Sequence, residues 1–146
     1  MIEKTGNFWD EPGDVHVITT NGVVKGNGAC VMGRGIALQA KTMFPGIDKV
    51  LGDKIMKEGN VVHDLEKYIN KDREFHIYSF PVKEHWKDKA DILIISRSLA
   101  EIVKLQYEKI IMVRPGCGNG RLSWKYNIKG LIQNYLDDRF IVVNQT

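Results

Sequence analysis

The chain has 146 residues, 43% of them hydrophobic and 27% charged, which suffices for one sizeable core and is too little to expect two, so one domain over 1–146 is predicted. Its net charge of +3 permits an anionic partner without demanding one. No apolar run approaches the roughly 18 to 20 residues a membrane span requires, and "MIEKTGNFWD" has neither the basic head nor the apolar stretch of a signal peptide. A cytoplasmic monomer with no membrane partner is the expectation.

Taken in chain order, "DVHVITT" (14–20) is short, β-branched and bounded by glycines, which predicts a strand buried on both faces. A helix then starts at Gly35, takes apolar contacts from Ile36, Leu38, Ala40 and Met43, and stops at "FPGI", because Pro45 lacks an amide hydrogen and biases Phe44 away from helical angles. A second helix is predicted over 48–58. "VVHDLEKYI" and "EFHIYSFPV" read as two strands joined through the polar turn "NKDR", a hairpin in mid-chain. From Lys89 to Tyr107, Ile92, Ile95, Leu99, Ile102, Val103 and Leu105 fall near a 3.6 period and predict a helix. "KIIMV" (109–113) returns as a buried strand, "NIKGLIQNYL" gives a last amphipathic helix, and "FIVVN" closes as a strand. Strands alternating with helices predict an α/β fold, a three-layer α/β/α sandwich around a mixed central sheet.

Two glycine clusters stand out on this map. "TTNGVVKGNGACVMGRGIALQAK" holds five glycines between Gly22 and Gly35, placed where a strand ends and a helix begins. Open α/β sheets bind ligands at such places, and the free amides and dipole of a helix N-terminus favour an anion there. The glycines of 26–35 therefore suggest a phosphate cradle. It is neither of two familiar ones. "GACVMGRG" (28–35) has the glycine spacing of a nucleotide triphosphatase loop, but Arg34 and Gly35 stand where Lys and Ser or Thr belong, and Val31 occupies the third glycine's place after Gly26 and Gly28. The second cluster, "RPGCGNGRLSW" (114–124), repeats the arrangement of buried strand, Gly116, Gly118, Gly120 and then helix. Two such loops favour one shared anionic ligand, a pyrophosphate gripped from both sides.

The first cluster resembles the first ligand loop of macro domains, especially the branch containing the DNA ADP-ribosyl glycohydrolase DarG and the terminal ADP-ribose protein glycohydrolase. "FPVKEHW" (80–86) resembles that branch's catalytic-lysine segment, "GCGNGRLSW" (116–124) its second phosphate loop, and "GNFW" (6–9) the start that places an acidic residue on the adenine. The resemblance implies an ADP-ribose site. Asn7 would lie near the adenine amino group, and Asn21 would face the distal ribose. Met32, Gly33, Arg34, Gly35 and Ile36 would wrap the diphosphate and distal ribose, with Gly116, Cys117, Gly118, Asn119 and Gly120 closing from the other side and Thr20 and Val31 as further ADP-ribose contacts. Lys83 would be the catalytic lysine, with Asn119 beside it in the reaction. Asn7 replaces the usual Asp, although an amide oxygen can still accept a hydrogen bond. Asn119 stands where the protein-directed glycohydrolase carries a catalytic Asp, and an amide cannot act as a general base. That departure favours ADP-ribosylated DNA over ADP-ribosylated protein as the partner.

An amine attacking an anomeric carbon needs its proton removed, which burial or a neighbouring cation achieves, and His85, Lys87 and Lys89 are the near candidates in sequence. Outside the family resemblance a lysine beside a proline reads as an ordinary solvated one. His16, His63, His76 and His85 lack metal-ligand spacing, so neither a metal nor any other cofactor is expected. Cys30 and Cys117 have no identifiable partner base, and Trp9 and Trp124 read as packing. "KEHWKDK" (83–89) interleaves a tryptophan with basic residues, which suits a nucleic-acid strand, but a solvated loop is preferred. Three function classes follow: a hydrolase removing ADP-ribose from DNA, a phosphatase for ADP-ribose 1″-phosphate, and a non-catalytic reader of ADP-ribose.

Overall fold

The computed structural model describes residues 1–145. Its core is one six-stranded sheet: β1 (Ile2–Gly6), β2 (Val15–Thr20), β3 (His63–Asn70), β4 (Arg73–Pro81), β5 (Ile110–Val113) and β6 (Phe140–Gln145), in the order β1-β6-β5-β2-β4-β3. All neighbours are parallel except β3 against β4, so the sheet is mixed. Four helices cover it: α1 (Gly35–Met43), α2 (Ile47–Glu58), α3 (Ile92–Ile102) and α4 (Lys129–Gln133).

The period-2 alternation of the strands divides the core into two layers. Ile18, Ile77, Ile111 and Ile141 face α1 and α2, where Ala40, Ile47 and Leu51 pack. Val17, Phe80, Met112 and Val142 face the opposite way onto Leu99 and Ile102 of α3 and Ile132 of α4. This is the three-layer α/β/α sandwich, with β2 and β5 buried on both faces; β5 is an unbroken apolar run, and β2 also buries His16 and Thr20.

Several predicted elements take different bounds. The 89–107 helix is confined to α3, because Asp91 caps its start by accepting from Leu93 N at 2.8 Å, and Leu105 lies beyond its end. Leu38 and Met43 of α1 are exposed; Ile36, Ala37 and Ala40 make its buried face. The last helix splits into one π turn, Trp124–Ile128, followed by the short α4. β1 is not foreseen: "IEKTG" has no buried face, and it is a strand because it adds to the sheet edge by backbone pairing with β6. The mid-chain hairpin forms as predicted, with Lys71 (φ 49°) and Asp72 (φ 64°) making a two-residue turn of the primed type that suits twisted strands. Among the described residues no helix is long and apolar enough to cross a membrane.

Candidate functional site

Because β6, β5, β2 and β4 are parallel, their carboxyl ends emerge on one edge of the sheet. The chain leaving β2 turns to α1 on one face, whereas the chain leaving β5 turns to the π turn and α4 on the other. Adjacent strands whose connections diverge open a crevice. A cleft of about 690 Å³ lies there, lined by both glycine loops, the Lys83 segment and the end of β6.

The first loop is pinned by Asn21. Its Nδ2 donates to Val31 O at 3.0 Å and its Oδ1 accepts from Val23 N at 2.9 Å, so one side chain fastens both arms. Gly26 and Gly28 are absent from the cleft lining. They belong to a tight turn closed by Gly28 N donating to Lys25 O at 2.9 Å, and the Gly28 carbonyl packs against Gly52 of α2 with no room for a Cβ. Of this loop's glycines, Gly33 and Gly35 line the cleft. Gly35 opens α1 at φ 58°, and no side chain caps the helix, so its first-turn amides face the cleft. A Cβ on Gly35 would lie 3.1 Å from Asn119 Nδ2, which shows how closely the two loops approach.

The second loop turns back on itself through Leu122 N to Gly116 O (2.9 Å) and Arg121 N to Gly118 O (3.1 Å). It does not run straight into a helix: Arg121, at φ 64°, and two further residues intervene before the π turn. Gly120 is a packing glycine, since a Cβ would lie 2.5 Å from Gly116 O and 2.8 Å from Ala90 Cβ. Ala90 N in turn donates to Gly120 O at 2.9 Å, tying this loop to the Lys83 segment.

Lys83 continues β4 beyond its pairing with β2, Val82 N donating to Thr20 O at 3.0 Å. Asn60 Nδ2 holds the Lys83 carbonyl at 3.1 Å, and Gly22 N holds the Glu84 carbonyl at 2.8 Å. The side chain is buried, with 9% of its surface exposed, and Nζ donates to Trp86 O at 3.3 Å and Asp88 O at 3.0 Å. Burial lowers its pKa below the ordinary lysine value, and the Arg121 and Arg34 guanidiniums lower it further while Asp88 partly opposes them. The cations expected from sequence, His85, Lys87 and Lys89, are not the source of the shift. The charged residues lining the cleft are Arg34, Lys83 and Arg114, all cationic.

No family model matches the chain. The DNA ADP-ribosyl glycohydrolase of Mycobacterium tuberculosis is 32% identical over 102 residues, 65% of this chain and 29% of that protein. The protein of that name from Thermus aquaticus is 30% identical over 141 residues, 90% of this chain and 36% of its own length. The chain thus spans about a third of these relatives. The solved macrodomain of Thermus aquaticus DarG superposes with a TM-score of 0.74 at 28% identity, covering 99% of this chain and 97% of that one. The chain is a macro domain. Within that family its likeness is to the DarG branch.

Of the ADP-ribose contacts that the resemblance implies, the macro-domain cleft gathers all but one. Thr20, Asn21, Val31, Met32, Gly33, Arg34, Gly35, Ile36, Lys83, Gly116, Cys117, Gly118, Asn119 and Gly120 all line it. Asn7 does not: it is exposed, and its Oδ1 accepts from Trp9 N at 2.9 Å to cap the short 3₁₀ turn Phe8–Asp10. The polar groups at that end of the cleft are Gln39 and Gln145, which sequence reasoning missed. Gln145 Oε1 accepts from Phe8 N at 2.8 Å and its Nε2 donates to Gln39 Oε1, which also accepts from Trp9 Nε1 at 3.0 Å. No sequence signal marks this relay, because its members are far apart along the chain. Trp9 is core packing, stacked near His16. Burial pushes the thiols of Cys30 and Cys117 up to about 12 and about 11, so neither is a thiolate nucleophile. Among the described residues no group of three or more His, Cys, Asp or Glu side chains is placed to hold a metal.

Proposed function

We propose that this macro domain, residues 1–146 acting as one unit, binds ADP-ribose in the cleft and removes it hydrolytically from a modified macromolecule, DNA before protein. A cytoplasmic monomer is its working form. The diphosphate would lie between Gly33–Gly35 and Gly116–Gly120, facing the α1 amides and the Arg34 and Arg114 guanidiniums. The relatives' name, DNA ADP-ribosyl glycohydrolase, supports this substrate class.

One observation carries the hydrolase reading: a buried lysine amine at the cleft wall, with its proton affinity lowered and its direction fixed by two carbonyls. In the step proposed, the Nζ lone pair forms a bond to the anomeric carbon as the bond from that carbon to the base breaks. The released electron pair stays on the base nitrogen, which takes up a proton. Nζ sheds its own proton, and water then adds to the anomeric carbon and expels the lysine unchanged. Asn119, whose amide group adjoins Gly35 across the cleft, would position the sugar by a hydrogen bond. It supplies no carboxylate base, which suits an N-linked rather than a glutamyl-ester substrate.

The test offers the protein ADP-ribosylated single-stranded DNA, a glutamate-modified protein and ADP-ribose 1″-phosphate, each with parent and Lys83→Ala. Release from DNA by the parent alone is expected. Consumption of only the phosphomonoester would make the chain a phosphatase, and binding without turnover of any substrate would make it a reader.

A further inference from the structure

We propose that the loop 83–89 and Arg121 form a docking platform for the single DNA strand flanking the modified nucleotide, with Trp86 as the surface on which an adjacent base stacks. Lys87 and Arg121 supply the phosphate contacts. The proposal rests on the reading of ADP-ribosylated DNA as substrate.

Trp86 is 47% exposed although it lines the cleft beside Lys83. The other two tryptophans are packed, Trp9 in the core and Trp124 with the Arg114 guanidinium 4.7 Å from its ring. An indole held in water at the mouth of a site has a free π face to offer. The Lys87 ammonium lies 5.6 Å from its ring centroid, and the His85 ring is 5.3 Å away at 35°. The loop is fixed in place. Arg121 Nη2 donates to Lys87 O at 3.2 Å, Ala90 N donates to Gly120 O at 2.9 Å, and Lys83 Nζ holds two of the loop's carbonyls from beneath.

The charge here suits a phosphodiester backbone. Arg121 and Arg34 are both near enough to Lys83 to lower its proton affinity, and Arg121 also reaches the loop at the Lys87 backbone carbonyl. Of the loop's two carboxylates, Glu84 faces Arg97 at 3.9 Å, leaving Asp88 as the acidic side chain among these cations. The strand must also be single. The Lys83 amine lies buried in the cleft wall, so the sugar carbon it attacks has to enter together with the base it bears, which no base in a duplex stack can do. The neighbouring bases then lose a stacking partner on one side, and Trp86 replaces it.

The test titrates an unmodified, fluorescein-labelled oligothymidylate of about 12 nucleotides into the full chain with free ADP-ribose at saturation. Binding should persist with the cleft filled, and it should quench the fluorescence of Trp86. Trp86→Ala should weaken it roughly 5- to 150-fold, the range of one lost base stack. Trp86→Phe should retain most of the affinity and lose the quench. Lys87→Ala should reduce the slope of log affinity against log salt by about 0.7, the value of one single-strand phosphate contact. Equal binding by parent and Trp86→Ala overturns the platform, as does an unchanged salt slope. Loss of turnover on a modified protein in Trp86→Ala, with oligonucleotide binding intact, would assign the surface to a polypeptide and also overturn it. A parent that binds the strand but releases no ADP-ribose from its modified form sinks the hydrolase reading alone, whereas hydrolysis without Trp86-dependent binding sinks the platform alone.

Discussion

Gly118→Val separates occupancy of the cleft from integrity of the fold. A Cβ at Gly118 meets no atom within 4 Å, and its φ lies outside the left-handed region, so the variant should fold within about 0.5 kcal/mol of the parent, as exposed substitutions usually do. Its isopropyl group nevertheless projects from the second glycine loop, where the diphosphate is proposed to lie. For the parent, free ADP-ribose at about 100 times its Kd stabilises by about 2.7 kcal/mol. At roughly 2 to 4 °C per kcal/mol for a domain near this size, that raises Tm by roughly 5 to 11 °C. Gly118→Val should melt like the parent without ligand and show none of this shift, while calorimetry registers no heat of binding. Gly35→Val should differ in kind. Its φ of 58° and the 3.1 Å approach to Asn119 Nδ2 predict a lower unliganded Tm, from about 1 to 2 kcal/mol of backbone strain, as well as a lost shift. A Gly118→Val variant that binds and shifts as the parent does would mean that the two loops are only turns.

The remaining predictions concern chemistry and stability. Because its pKa is lowered, Lys83 loses its proton at a lower pH than an ordinary lysine, so turnover should rise with pH through that point; Arg121→Ala, by removing a cation that lowers it, should move the profile to higher pH. Asn119→Ala should slow turnover by about 0.5 to 1.5 kcal/mol, roughly 2- to 13-fold in kcat, for one lost hydrogen bond, and Asn119→Asp should gain activity on a glutamate-linked substrate. His16, buried and lowered from 6.5 to about 4, binds fewer protons folded than unfolded between those values. Stability should therefore fall as pH drops from about 6.5 towards about 4, by up to about 3 kcal/mol, and urea titrations of His16→Gln should show a flatter dependence. Gly52→Ala should lower Tm measurably, because its methyl presses into the Gly28 carbonyl.

The sequence was legible where one element's own pattern decides its structure. β2, β5 and the first four residues of β6 are β-branched or apolar stretches too short for helices, α1 ends just before a proline, and the hairpin turn is polar and short. The two glycine clusters located the cleft because a main chain that passes close to a ligand or to another main chain excludes side chains. What stayed hidden depends on partners distant in sequence. β1 has no face to bury and exists through pairing with β6. Gln39 and Gln145 meet only because the end of β6 lies over α1, 106 positions away in the chain. Arg121 and Arg34, which shift Lys83, reach it from the two glycine loops rather than from its own segment. Gly26 and Gly28 share the composition of the cradle but serve a turn packed on α2, a distinction that only the Gly52 contact makes.

Strand order explains why binding and chemistry should be separable in this cleft. The ligand loops follow β2 and β5, which are neighbours, whereas the lysine follows β4 on the other side of β2. Its reach is set by register: Thr20 pairs with Pro81, so Lys83 stands two residues past the last strand pair, beside the first loop. Lys83 is fixed there by Asn60 and Gly22, and neither glycine loop depends on its side chain for its internal hydrogen bonds. Lys83→Ala should consequently abolish release of ADP-ribose from DNA while leaving affinity for free ADP-ribose within a few fold, read by single-turnover assay and calorimetry on the same preparation. Undiminished turnover in that variant would refute the lysine mechanism. Loss of ADP-ribose affinity would show instead that the amine grips the ligand, and the arrangement would then be that of a reader.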